Sequence, residues 1–126
     1  MNNILDDVKK FIGIQPDYDI YDLDITMNIN SVLSILQQIG LCTSLVDNSI
    51  EGSTSVWSDI TDDNILLNLV KNYVYLKVRS MFDPPSSSAT ANAISVTLKE
   101  LEWRILNYDL ISSDISIKEE EVQNVE

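Results

Sequence analysis

Histidine is absent from these 126 residues, and cysteine occurs once, at Cys42. The first absence removes the commonest general base and the commonest metal ligand, and the second excludes an internal disulfide and a cysteine-rich zinc site. Glycine and proline number three each, too few for a fibrous chain or a Gly/Pro-rich disordered one. No run approaches the roughly 18 uninterrupted apolar residues of a membrane helix. The opening Met1-Asn2-Asn3-Ile4-Leu5-Asp6-Asp7 has the wrong charge for a signal peptide, so the chain reads as a cytosolic product with no export signal of its own. Basic residues are scarce too: eight Lys and Arg face 20 Asp and Glu, a net charge of −12. A chain so acidic is badly suited to gripping a phosphate backbone through counterion release.

What is present is a soluble-domain composition, 44% hydrophobic and 22% charged, in a length that holds one modest core. Apolar residues recur at helical spacing in four stretches. Residues 3–12 carry Ile4, Leu5, Val8, Phe11 and Ile12 on one side, with Asp6 and Asp7 in the first turn, Lys9 and Lys10 in the last, and Gly13 as a left-handed stop. After Gln15-Pro16-Asp17, a second helix is expected to begin after Asp19 or Asp22, capped by a carboxylate, and to close at Gly40. Its Ile25, Ile29, Val32, Leu36 and Ile39 step +4, +3, +4, +3, and Leu33 and Ile35 widen the stripe, which predicts a central helix with several neighbours.

The third helix is expected from Thr61, Asp62 and Asp63 to about Met81, with Leu66, Leu69, Val70, Tyr73, Leu76 and Ser80 along one face and Lys71, Lys77 and Arg79 outside. Phe82-Asp83-Pro84-Pro85 must end it, because consecutive prolines remove two amide donors and push the preceding residue out of the α region. Ser86, Ser87 and Ser88 offer caps for a fourth helix with the ladder Ile94, Leu98, Leu101, Ile105, Tyr108. Helices three and four then form an antiparallel hairpin sharing helix two as a third wall, with Ala89, Ala91 and Ala93 letting the backbones approach. The fold expected is all-α: a small antiparallel bundle of about four helices (residues 1–108) with a long loop at 41–58 and an extended acidic tail at 109–126.

The loop mixes Ser, Thr, Asn and Asp with Leu45, Val46, Ile50, Val56 and Trp57; it reads as a long connection or a loose hairpin near residues 48–52 that serves as a binding element. Charge is uneven. Residues 1–64 carry a net −9, residues 65–108 a net +2 and the tail a net −5. Copies of such a chain can set one subunit's acidic part against the next one's basic part, a contact that closes into a ring where the rotation allows. The same charges paired within one chain, or simply solvated, account for the pattern as well.

Local chemistry offers little. Asp17, Asp19, Asp22 and Asp24 lack the glycine and the final glutamate of a calcium loop, and Asp59, Asp62 and Asp63 read as helix capping. Cys42 has no histidine to activate it and reads as a small apolar residue ending helix two. Trp57 and Trp103 each admit a core role or an interface role. Trp103 falls one position off its helix stripe, with Lys99 four residues earlier and Glu100 to Arg104 spaced for an ion pair.

The run Tyr73-Val74-Tyr75-Leu76-Lys77-Val78-Arg79-Ser80-Met81-Phe82-Asp83-Pro84-Pro85-Ser86-Ser87-Ser88, followed by Leu98-Lys99-Glu100-Leu101-Glu102-Trp103-Arg104, resembles the head-tail connector (adaptor) proteins of tailed bacteriophages. Residues 25–41, with Asn28-x-Asn30-Ser31-Val32-Leu33, look like the preceding helix of that family. The resemblance implies a virion protein at the head-tail junction, made in the host cytoplasm, without catalytic activity or cofactor. It implies a homo-oligomeric ring, dodecameric to match the portal protein, that extends the DNA channel and meets the next tail or stopper component. A tail that docks on the portal would order only on binding. On this reading Lys77, Arg79, Asp83, Pro84, Pro85, Trp103, Arg104, Ile111, Ile115 and Ile117 are candidates for subunit or portal contacts. DNA passes without specific binding, and Asp47 and Glu51 in the loop, or the face of helix two, are candidates to line the channel. The competing class is an acidic soluble phage protein acting as a decoy or regulator of a host nucleic-acid-binding protein. Such a mimic needs carboxylates on one continuous face, which the basic Tyr73 to Arg104 hairpin interrupts.

Overall fold

The computed structural model describes residues 3–41, 50 and 54–108, and among these it holds four α-helices: α1 (Ile4–Phe11), α2 (Asp22–Gln38), α3 (Asn64–Phe82) and α4 (Ser88–Leu106). Three of the four begin on a side-chain cap. Asn3 Oδ1 accepts from the Asp6 amide at 2.7 Å, Asp63 Oδ1 from Ile65 and Leu66 at 3.0 and 3.2 Å, and the Ser87 hydroxyl from Thr90 at 3.4 Å. The exception is α2, whose cap position is Tyr21 and which has no side-chain cap bond, so the carboxylate cap expected of Asp19 or Asp22 is not formed. The Asp22 side chain is engaged elsewhere, as described below.

Gly13 and Gly40 end α1 and α2 with φ of 86° and 114°. The amides of Ile14 and Leu41 reach back five residues to the Lys9 and Leu36 carbonyls at 2.8 and 3.0 Å, and Gly13 and Gly40 reach back three. This is the double hydrogen bond that a left-handed glycine makes possible. Any side chain there would strain the backbone.

The core is continuous: Ile4, Leu5 and Val8 of α1, the α2 ladder, and Val70, Tyr73, Val74 and Val78 of α3 are buried together with Leu98, Leu101 and Ile105 of α4. The hub is α3, which packs on α1, α2 and α4, while α2 packs mainly on α1 and α3. The third wall expected from α2 therefore serves α1 and α3, and α4 rests chiefly on α3. The α3/α4 pair is antiparallel, since Tyr73 Oη donates to Glu102 Oε1 at 2.6 Å and Tyr108 Oη to Asp63 Oδ2 at 2.6 Å. Ala89, Ala91 and Ala93 are exposed near the proline turn, so they are not spacers in that seam.

The last part of the long connection is anchored to α1. The Ile4 amide donates to Ser55 O at 3.0 Å, Asn3 and Val56 form an antiparallel bridge, and a 3₁₀ turn at Trp57–Asp59 follows. Ile50 is buried, and its amide donates to Asn30 Oδ1 of α2 at 2.8 Å. Cys42 and the hairpin suggested near residues 48–52 lie, apart from Ile50, outside the described residues, as does the tail at 109–126. No helix among the described residues is long and apolar enough to cross a membrane.

Candidate assembly surface

Three of the clustered acids, Asp22, Asp59 and Asp63, have structural roles. Lys9, fully buried on α1, places Nζ 2.7 Å from Asp22 Oδ1 and donates to the Pro16 carbonyl at 2.8 Å, tying the α1/α2 connection to the core. The contact with Asp22 Oδ1 is an ion pair without hydrogen-bond alignment. Asp59 Oδ2 accepts from the Val56 amide at 3.0 Å, and Asp63 caps α3 while receiving the Tyr108 hydroxyl. That hydroxyl bond, with the amides of the first turn, holds the Asp63 carboxyl below its ordinary range. Among the described residues no three His, Cys, Asp or Glu side chains come together as a metal site.

The two tryptophans part company. Trp57 is 3% exposed and belongs to the core: its indole donates to Asp7 Oδ2 at 2.7 Å, its ring meets Tyr75 edge-on at 5.6 Å, and Lys71 Nζ lies 5.5 Å over it. Phe11 stacks on the same Tyr75 at 4.8 Å. Burial, and then the charge of Asp7, raise the Tyr75 phenol above its ordinary pKa. Trp103 is 58% exposed on the outer side of α4.

The remaining sequence candidates fall in two places. Arg79, Asp83 and Pro84 are exposed, and Lys77 and Pro85 half-buried, toward the proline turn that closes the hairpin. Trp103 and Arg104 lie about four helical turns along α4 from its start, on the order of 22 Å away. Arg104 is paired to Glu100 at 2.8 Å, as its spacing predicts. Ile111, Ile115, Ile117, Asp47 and Glu51 lie outside the described residues. Among the described residues, the candidates therefore fall at two separate places rather than in one patch.

What the sequence reading missed is a set of exposed apolar side chains: Ile20 just before α2, Leu23 and Met27 in its first turns, and Val96 and Leu106 on α4 with Trp103. A signal existed, since Leu23 and Met27 are four apart and two residues out of phase with the Ile25/Ile29 ladder, which places them on the opposite side of the helix. Tyr18, Tyr21 and Phe82 form an aromatic chain between the α1/α2 connection and the end of α3, with ring centroids 5.9 and 5.3 Å apart.

A family model described as phage connector protein matches residues 4–109. No curated protein and no solved structure matches significantly. The family match spans most of the chain, from the first residue of α1 to the start of the acidic tail, and the chain belongs to the phage connector family.

Proposed function

We propose that this phage connector acts as a non-catalytic ring adaptor between the capsid portal and the tail, extending the channel through which DNA passes. The observation that carries the reading is the family match over residues 4–109, which is coextensive with the helical bundle. The ring is a homo-oligomer, dodecameric on a portal of that symmetry, and its free side receives the next tail or stopper component. DNA is repelled from the wall rather than gripped, which a net charge of −12 favours, and Asp47 and Glu51 are the acids assigned to the channel. The tail at 109–126, with Ile111, Ile115 and Ile117 among its acids, docks on the portal and orders there.

The test is co-sedimentation of the purified chain with portal-bearing capsids and with portal-free shells, with and without residues 109–126. Saturable binding to portal-bearing capsids alone, lost on truncation, is the expected result. Equal or absent binding overturns the adaptor reading and directs attention to the decoy class through a host-lysate pulldown.

A further inference from the structure

One carboxylate of the bundle serves two helices at once. Asp63 Oδ1 caps α3, accepting from the Ile65 and Leu66 amides at 3.0 and 3.2 Å, while its Oδ2 accepts the Tyr108 hydroxyl at 2.6 Å. The two residues are 45 positions apart, so this bond joins the start of α3 to the residue just before the tail. Both partners stand on secured chain. Ahead of Asp63, Ile60 is buried with its amide donating to the Trp57 carbonyl at 3.0 Å, and the Asp63 amide donates to Thr61 Oγ1 at 3.2 Å. Ahead of Tyr108, the Asn107 side chain donates to the Trp103 carbonyl at 2.8 Å and closes α4. A hydroxyl given to an ionised carboxylate is among the stronger hydrogen bonds. The core, however, has already ended: Ile105 is the last buried residue of α4, and the Tyr73 to Glu102 bond secures the α3/α4 seam one turn earlier still. What the Asp63 to Tyr108 bond secures is the chain beyond the core.

We infer that the Asp63 to Tyr108 bond fixes the point at which the tail at 109–126 leaves the bundle, and so presents it to the portal from one place, at the end of the hairpin away from Pro84 and Pro85. The inference rests on the adaptor reading, in which that tail docks, and names the residues that position it. The end of a helix frays unless something ties it down. A tail of 18 residues whose origin is held has less freedom to surrender on docking than one whose origin swings with a frayed turn. Asp63 and Tyr108 are thus positioning residues: they hold the root and leave the contact itself to the tail.

The test compares the full-length chain with Tyr108→Phe, which keeps the ring and removes the hydroxyl, with Asp63→Ser, which keeps a capping oxygen for α3 and removes the one that Tyr108 reaches, and with the double variant. Amide relaxation by NMR reads the root directly. Order parameters at Asn107 and Tyr108 should fall in every variant from about 0.85 toward 0.6, while those of Val70, Val74 and Val78 in the core of α3 hold. Binding to portal-bearing capsids should weaken about fivefold in either single variant, the worth of one hydrogen bond, and no further in the double, because the pair acts as a unit. A bond that only strengthened the hairpin would lower the melting temperature and leave capture of the folded protein unchanged. Undiminished order at the root overturns the inference. So do variants captured at the parent's affinity, or a double variant whose loss is the product of the two single losses; in both of these the adaptor role stands, since the parent binds. Failure of the parent to be captured, with the root loosened in the variants, refutes the adaptor reading and leaves the origin of the tail assigned.

Discussion

The helices α2 and α4 carry the same +4, +3 ladder and end up in different situations. In α2, Ile25, Ile29, Val32 and Leu36 are completely buried, whereas Leu98, Leu101 and Ile105 of α4 keep 6–9% of their surface. The cause is the number of neighbours: α2 is enclosed by α1 and α3, and α4 leans chiefly on α3. A hydrophobic period tells which side of a helix faces inward, but not how much of the inside closes over it.

The comparison breaks most visibly by truncating one leucine from each helix. Leu33→Ala in α2 should cost about 3–4 kcal/mol, and Leu101→Ala about 2 kcal/mol, because a site at the rim relaxes and rehydrates more easily. Urea denaturation at constant m-value measures both, and equal losses would show α4 to be as enclosed as α2. Next in size is the ion pair under the α1/α2 connection. Asp22→Asn leaves the fully buried Lys9 charge with only the Pro16 carbonyl, and should destabilise by about 3 kcal/mol or somewhat less, since Asp22 itself is 35% exposed. Adding Lys9→Met to that variant should recover part of the loss; a further loss instead would show that Lys9 acts through its packing.

The smallest expected effect sharpens the α3/α4 seam. Tyr73→Phe removes the hydroxyl that reaches Glu102 and should cost about 1 kcal/mol near neutral pH. Its pH signature is distinctive. Burial first, and then the Glu102 hydrogen bond, push the Tyr73 phenol above its ordinary value of 10.0. The neutral form is thus favoured by folding, a contribution fully present below pH 10 and lost progressively as pH rises from there toward the folded-state value. The parent should therefore lose stability above pH 10 more steeply than Tyr73→Phe, and parallel alkaline melting curves would rule the seam out as the cause.

Much of the fold was legible because helix ends are written locally. Asn3, Asp63 and Ser87 cap, Gly13 and Gly40 stop, and Asp83-Pro84-Pro85 turns the hairpin, each for a reason confined to a few residues. What was hidden depends on distant partners. Lys9 reads as a last-turn base that complements the α1 dipole, and nothing local shows that it is buried with Asp22 and the Pro16 carbonyl meeting it. The placement of Trp57 follows from Asp7, fifty residues earlier, and from Tyr75 beyond it. No periodicity announces such a pairing. The candidate surface was legible only in part: Trp103 off its stripe was a correct pointer to exposure, while Leu23 and Met27 passed unnoticed because attention follows the ladder and not its reverse side.

The anchoring of the connection between α2 and α3 has a consequence for how such a chain tolerates change. Leu41 is held by the glycine cap of α2, Ile50 by Asn30, and Ser55 and Val56 by the start of α1. Change at an anchor is therefore costly: Asn30→Ala would leave the buried Ile50 amide without its acceptor, a loss of about 1–3 kcal/mol, although the two residues lie twenty positions apart.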